Sequence, residues 1–211
     1  GRPAADLPAP DLGMSERTRH EARSTVAADD DGWGVLGELP GDFMMWVLIV
    51  SELLVFSAAL LAMLAVRAGD PVRFAADQAM LDRTAGALNT IVLVTSGLCA
   101  ALAVEARSRE ARATARRWLA GAGLLGIVFL AVKAVEYTHK ASLGIGVETS
   151  PFFTFYYLVT GFHAAHVVAG LVLLGLVAVF DSVRNMETAV AFWHMVDLVW
   201  VLLFPIVYLV R

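Results

Sequence analysis

Cysteine is nearly absent from this sequence, and charged residues are scarce. The single cysteine, Cys99, lies within an apolar run, which excludes a disulfide framework and a CxxC metal or redox site. Charged residues make up 17% of the chain, below the roughly 25% of an ordinary soluble domain, whereas 58% of the residues are hydrophobic. No basic stripe with interleaved aromatic residues is present, so a nucleic-acid partner is not expected.

The sequence contains instead five long apolar runs. About 20 helical residues cross a hydrocarbon core of about 30 Å, and all five runs are long enough, although the second is near the lower limit. Short segments of alternating polarity, which are typical of membrane β-barrels, are absent. The sequence therefore predicts an all-α integral membrane bundle of five transmembrane helices. The runs cover residues 43–66, 88–104, 118–138, 155–180 and 190–210.

The N-terminal region has a different composition. Residues 1–41 are rich in Ala, Pro, Asp and Arg and lack the apolar core of a signal peptide. This composition predicts a mostly disordered polar tail, followed by a membrane domain over residues 42–211. Met14 is a candidate start of the chain, which would make residues 1–13 an extension.

Lysine and arginine are distributed unequally between the two sides of the predicted bundle. The side of the N-terminus carries ten of them outside the runs, and the side of the C-terminus carries five. The excess predicts that the N-terminus lies on the inner side of the membrane and the C-terminus on the outer side. The first set is Arg2, Arg17, Arg19, Arg23, Arg107, Arg109, Arg112, Arg116, Arg117 and Arg184; the second is Arg67, Arg73, Arg83, Lys140 and Arg211.

Several ionisable residues lie inside the apolar runs, where a charge costs at least a few kcal/mol. Glu52 lies in the first run, Lys133 and Glu136 lie one helical turn apart in the third, and Asp197 follows His194 by one turn in the fifth. One interpretation is that these groups pair with one another or with a partner subunit. The other is a metal, haem or proton site.

The histidine spacings leave these alternatives open. Glu136 and His139 form one Glu-x-x-His motif, whereas a di-iron bundle needs two such motifs and two further glutamates. His163 and His194 could hold a haem in a small b-type cytochrome. A transporter or proton channel around Glu52 is a third hypothesis, although no inverted repeat supports it.

Small residues and a recurring stripe favour close helix contacts. His163 and His166 lie among glycines and alanines, which let membrane helices approach tightly. Trp193, Asp197 and Trp200 recur on one face of the fifth run and predict a helix or subunit contact.

Four stretches together resemble subunit III of the haem-copper oxidases. The resemblance covers about residues 41–211, and the last two stretches match the family most specifically. The stretches are MWVLIVSELLVFSA (45–58), VEYTH (135–139), TGFHAAHVVAG (160–170) and FWHMVDLVWVLLFPIVYLV (192–210).

The number of runs points to a subtype within that family. The common subunit III has seven helices, and its first two have no counterpart here. Five-helix members include the NorE type, which is encoded alongside nitric oxide reductases, and LPGDFMMWVLIVSELLVF (39–56) is similar to it. Because the two missing helices form one arm of a lipid-filled cleft, that cleft is not expected in this chain.

The resemblance implies a non-catalytic accessory subunit that stabilises a catalytic subunit through helix and lipid contacts. The expected partners are the catalytic subunit of a haem-copper oxidase or nitric oxide reductase and membrane phospholipids. Haem and copper or non-haem iron are expected in that subunit, with no catalytic, cofactor or metal residue in this chain. Glu52 is similar to the family's carbodiimide-reactive carboxylate. The implied structural, lipid or subunit contact residues are Glu52, Glu136, Tyr137, His163, His166, Trp193, His194, Asp197 and Trp200.

Overall fold

A computed structural model of the chain describes residues 43–180 and 182–210. Within these ranges the chain forms six α-helices, a short π-helical segment at the C-terminal end and no strand. The helices are α1 (Phe43–Gly69), α2 (Pro71–Ala79), α3 (Arg83–Ser108), α4 (Arg112–Ser142), α5 (Pro151–Val179) and α6 (Val183–Phe204), followed by the π-helical segment (Pro205–Leu209).

The five-helix membrane bundle predicted from the apolar runs is confirmed. In the described part of the chain, five helices are long and apolar enough to cross a membrane, namely α1, α3, α4, α5 and α6 with its π-helical continuation. The second span covers 83–108 rather than 88–104, because polar residues extend the helix beyond its apolar centre. The predicted tail, residues 1–41, lies outside the described residues.

The structure adds one helix that hydrophobicity did not predict. Helix α2 is short and polar, and it begins after Asp70, whose side chain accepts a hydrogen bond from the Arg73 backbone N–H at 3.0 Å. Asp82 caps α3 in the same way through the Ala85 N–H at 3.0 Å. An aspartate at the N-cap satisfies an otherwise unpaired backbone donor, which fixes where each helix starts.

Helix α6 lies at the centre of the bundle. In the most apolar 18-residue stretch of this span, 56% is buried inside the bundle, whereas the buried share of the same stretch is 22–33% in the other four spans. It packs against α1, α3 and α5, and its large side chains fill the core. Lipid provides no hydrophobic force between helices, so the bundle depends on close packing around this helix.

Two glycines let α6 approach its neighbours closely. The Trp193 indole lies between Gly126 of α4 and Gly170 of α5. A Cβ atom at Gly170 would lie 2.6 Å from Trp193 Cε3, and one at Gly126 would lie 2.7 Å from Trp193 Cη2. Both positions therefore require glycine to accommodate the ring.

The C-terminal end of the last span departs from the α-helix at Pro205. Proline lacks a backbone N–H and disrupts the regular hydrogen-bond ladder, and the chain continues as a π-helix. Gln78 of α2 donates from Nε2 to the Val207 carbonyl at 2.8 Å, and Arg67 of α1 donates from Nη1 to the Val210 carbonyl at 2.6 Å. Helix α2 therefore helps to hold this irregular segment in place.

A glycine comparison within α5 tests the close packing around Trp193. We expect Gly170→Ala to lower the free energy of unfolding by about 1–3 kcal/mol, because the added methyl group overpacks the contact. Gly175→Ala is the matched control, since no atom lies within 4 Å of a Cβ there. Thermal unfolding in detergent measures both, and equal stability of the two variants would contradict the packing described.

Candidate functional site

Lys133 and Glu136 form the centre of a polar cluster inside the bundle. Lys133 is only 3% exposed, and its Nζ donates to Glu136 Oε2 at 2.9 Å. The same ammonium donates to the hydroxyls of Tyr156 at 3.1 Å and Tyr208 at 3.0 Å. All three donors of the ammonium are thereby satisfied, as a buried cation requires.

The two tyrosine hydroxyls in turn bond to the carboxylate of Glu136. Tyr156 donates to Oε1 at 2.8 Å, and Tyr208 lies 3.0 Å from both oxygens. The rings of Tyr156 and Tyr208 lie 4.9 and 5.7 Å from Lys133 Nζ, close enough for cation–π attraction. This Lys133 cluster joins α4, α5 and the π-helical segment.

Tyr137, the neighbour of Glu136, connects α4 to α5 at a second point. Its hydroxyl shares a hydrogen bond of 2.5 Å with Thr160 Oγ1, and its ring centroid lies 5.0 Å from Lys133 Nζ. Glu136, through Tyr156, and Tyr137, through Thr160, thus form two separate contacts between α4 and α5.

Glu52 and His166 pair between α1 and α5. Glu52 Oε2 lies 3.2 Å from His166 Nε2, and the other ring nitrogen, Nδ1, lies 2.9 Å from the Phe162 carbonyl oxygen. Both side chains are partly exposed, at 25% and 14%. The ring of Phe56 packs against His166 at 5.4 Å between centroids.

His163 has a different environment, because its ring is fully buried among aromatic side chains. The ring centroids of Trp200 and Phe129 lie 5.2 and 5.5 Å away. Neither ring nitrogen has a hydrogen-bond partner among the described residues. The side chain contributes packing at the junction of α4, α5 and α6.

His194 and Asp197 lie together on α6, where it packs against α3. His194 Nδ1 is 3.7 Å from Asp197 Oδ2, and a Cβ atom at Gly97 would collide with that same oxygen. The Asp197 side chain is 10% exposed, whereas that of His194 is 46% exposed. The carboxylate therefore faces the helix contact, and the imidazole faces outward.

The two tryptophans of the predicted stripe also bond to α3. Trp193 Nε1 donates to Ser96 Oγ at 3.1 Å, and Ser96 donates onward to the Ala122 carbonyl at 2.7 Å. Trp200 Nε1 donates to Thr90 Oγ1 at 2.9 Å. Trp193, Asp197 and Trp200 thus share one contact of α6 with α3.

The structure separates the two histidines considered for a haem. His163 is enclosed by Phe129 and Trp200, whereas His194 lies beside Gly97 and projects from the bundle. Their rings therefore belong to different helix contacts, which does not favour a bis-histidine haem. Within residues 43–180 and 182–210, no group of three or more His, Cys, Asp or Glu could hold a metal ion.

Sequence reasoning missed several partners of these groups. None of these partners was singled out from the sequence. They are Tyr156 and Tyr208, which bond to Lys133, Ser96, which accepts from Trp193, and Gly97, which lies against Asp197. The one usable signal was Pro205, which marks an irregular end of the last span and so a change in the direction of Tyr208. The others depend on the rotation of helices about their axes.

The fold and its inward-facing polar pairs define an integral membrane protein built as a five-span helical bundle. The family model described as cytochrome c oxidase subunit III matches residues 41–210 of the chain. That match covers most of the chain. The chain therefore belongs to the cytochrome c oxidase subunit III family.

Individual relatives carry related names. A cytochrome c oxidase subunit 3 of Corynebacterium diphtheriae is 35% identical over 130 residues, which are 58% of this chain and 63% of that protein. A cytochrome c oxidase subunit 3 of Synechocystis sp. is 33% identical over 132 residues, 58% of this chain and 55% of that protein. This chain thus aligns with less than two thirds of the length of either relative.

One further relative joins two subunits in its name. A heme-copper oxidase subunit I+III of Aeropyrum pernix is 29% identical over 180 residues. The alignment covers 79% of this chain and 22% of that protein.

A double-mutant cycle tests the Lys133 cluster. We expect Lys133→Met or Glu136→Gln alone to lower the free energy of unfolding by about 3 kcal/mol, because each leaves a buried partner uncompensated. The double variant should lose less than the sum of the two. Chemical unfolding in detergent measures the cycle, and additive losses would contradict the coupling.

The exposed pair of Arg109 and Glu105 provides the control for that cycle. Its atoms approach to 2.7 Å, but the side chains are 74% and 54% exposed. Glu105→Gln should therefore change the free energy of unfolding by less than about 1 kcal/mol.

Replacing His163 tests whether its ring serves packing alone. We expect His163→Phe to lower the free energy of unfolding by no more than about 1 kcal/mol, because the removal of two unpaired buried nitrogens offsets the overpacking by the larger ring. His163→Ala should lower it by about 3 kcal/mol through the cavity it leaves. Unfolding in detergent measures both. Equal losses would contradict a role in packing alone, and a haem absorption band of the purified chain that disappears in His163→Ala would show that the ring nitrogens hold a ligand.

Proposed function

We propose that this chain is a non-catalytic accessory subunit of a haem-copper respiratory complex, of the NorE type. In this role it packs against the catalytic subunit in a bacterial inner membrane and stabilises it through helix and lipid contacts. The observation that carries the proposal is the half-exposed imidazole of His194, near the middle of the last span. A polar ring facing lipid at that depth is costly, so a partner helix is expected to cover it.

The inward-facing polar groups support a non-catalytic role. Lys133, Glu136 and Glu52 each have a partner on another helix of the bundle. The Asp197 carboxylate lies against Gly97 of α3, so these groups serve helix packing. Haem and copper or non-haem iron are then supplied by the catalytic subunit. The name of the Aeropyrum pernix relative supports a position beside subunit I, because a chain that carries both subunits keeps them together.

Two features support the NorE subtype. The first is the five spans of the described chain, and the second is the Pro40-Gly41-Asp42 sequence that leads into α1. The distribution of Lys and Arg supports a cytoplasmic N-terminus and a periplasmic C-terminus. The terminal acceptor follows from the partner, since a nitric oxide reductase would carry non-haem iron and an oxidase copper.

Purification under mild detergent tests this function. A haem-containing catalytic subunit should co-migrate with the tagged chain. Metal analysis of the complex should then show whether the catalytic subunit contains non-haem iron or copper in addition to haem. Purification of the chain alone, with a reductase or oxidase that is complete without it, would contradict the proposal.

A substitution at His194 tests the docking face. We expect His194→Ala to lower the haem recovered per chain about fivefold, the equivalent of one hydrogen bond worth about 1 kcal/mol. Ser51→Ala is the matched control, because Ser51 is exposed on α1 but its hydroxyl already donates to the Leu48 carbonyl at 2.8 Å. Equal haem recovery from both variants would place the docking face elsewhere.

A further inference from the structure

A groove with one apolar and one polar end lies between the start of α3 and the C-terminal half of α4. Its volume is about 460 Å³. Ala131, Val132 and Val135 form the apolar wall along α4, and Asp82 and Lys140 lie at the polar end. A groove with these two ends matches an amphiphilic ligand.

The length of the wall matches one leaflet of a membrane. Lys140 lies two residues before the end of α4 at Ser142, so the polar end lies near the membrane boundary. From Lys140 to Ala131 the helix rises about 13 Å at 1.5 Å per residue. Half of a hydrocarbon core of about 30 Å is about 15 Å, so the wall reaches nearly to the membrane midplane.

Lys140 supplies an incompletely bonded cation at the polar end. The residue is only 4% exposed, and its Nζ donates one long hydrogen bond, to the Met80 carbonyl at 3.4 Å. The Tyr156 ring lies 5.8 Å from the same nitrogen. An ammonium has three donors, and the other two have no acceptor among the residues that the structure describes. A phosphate oxygen of a ligand would satisfy them.

Asp82 supplies the opposite charge. Its Oδ1 accepts the capping bond from Ala85, and within the described ranges the other oxygen accepts no hydrogen bond, although the carboxylate lies close enough to Lys140 to attract its ammonium. Glu136 also lines the groove, but Lys133 and two tyrosines already occupy its oxygens. His139 lines the groove as well, and its imidazole is a further polar group at the same end. Lys140 and Asp82 thus place a cation and an anion side by side in the groove, which matches a zwitterionic headgroup better than a purely anionic one.

We propose that this groove binds one phospholipid with an ethanolamine headgroup. Its phosphate contacts Lys140, its ammonium donates to Asp82, and one acyl chain lies along Ala131, Val132 and Val135. A choline headgroup lacks N–H donors and makes no hydrogen bond to Asp82. The proposal concerns this chain alone and does not depend on which catalytic subunit it joins.

Lipid retention tests the proposal. The full chain, with any subunits that co-purify, is incubated in mild detergent with equal amounts of phosphatidylethanolamine, phosphatidylcholine and phosphatidylglycerol. The three lipids carry identical acyl chains. Native mass spectrometry then counts the lipids retained. We expect at least about tenfold preference for the ethanolamine lipid over the choline lipid, the gain from one charge-assisted hydrogen bond.

Two substitutions separate the headgroup contacts. Asp82→Asn preserves the helix cap, because asparagine caps as well as aspartate, and should abolish the ethanolamine preference while choline lipid is still retained. Lys140→Met should lower retention of all three lipids. Asp70→Asn, at the N-cap of α2 and outside this groove, is the control that should behave as the unmodified chain.

Three outcomes would overturn the proposal. These are equal retention of ethanolamine and choline lipids by the unmodified chain, strongest retention of the anionic glycerol lipid, and identical behaviour of Asp82→Asn and Asp70→Asn. If Lys140→Met fails to fold, the comparison of the two aspartate variants still decides. Haem recovered in the same samples reports on the accessory role separately, so failure of one proposal is distinguishable from failure of the other.

Discussion

A lysine ammonium inside an apolar bundle is the constraint on which the centre of this protein depends. Lys133 is almost fully buried, so its charge and its three donors must be satisfied by neighbouring side chains. Glu136 supplies the charge from the same helix, and the hydroxyls of Tyr156 and Tyr208 supply the remaining acceptors. Because the two tyrosines lie on different elements, this one cation sets the rotation of α5 and of the π-helical segment relative to α4.

Helix α6 adds a second layer of constraint through shape. The Trp193 ring fits between two glycines, and the Asp197 carboxylate lies against a third, Gly97. Packing of this kind stabilises helix contacts in lipid, where apolar surface alone gives no net attraction between helices. The polar bonds of Trp193 and Trp200 to α3 then fix the depth of α6 within the bundle.

The sequence was sufficient to predict the five spans, because hydrophobic length is a one-dimensional property. The sequence also predicts the local pairs of Lys133 with Glu136 and of His194 with Asp197, since residues one turn apart share a helix face. Spacing along the chain does not predict partners on other helices. His163 and His194 lie near the middle of their spans, but helix rotation, which no spacing reveals, places their rings in different contacts. Helix α2 was missed because it is short and polar, and its role is to hold a distorted segment of another span.

The position of Glu136 on the same helix as Lys133 has a consequence for biosynthesis. Spans enter the membrane in the order in which the ribosome makes them, and α4 emerges well before Tyr208 has been translated. The lysine therefore needs a counter-charge that arrives with it, and a glutamate one turn later provides it at once. The charge of Lys133 is thus neutralised while α4 inserts, and the later spans complete its hydrogen bonds only after they have joined it in the bilayer.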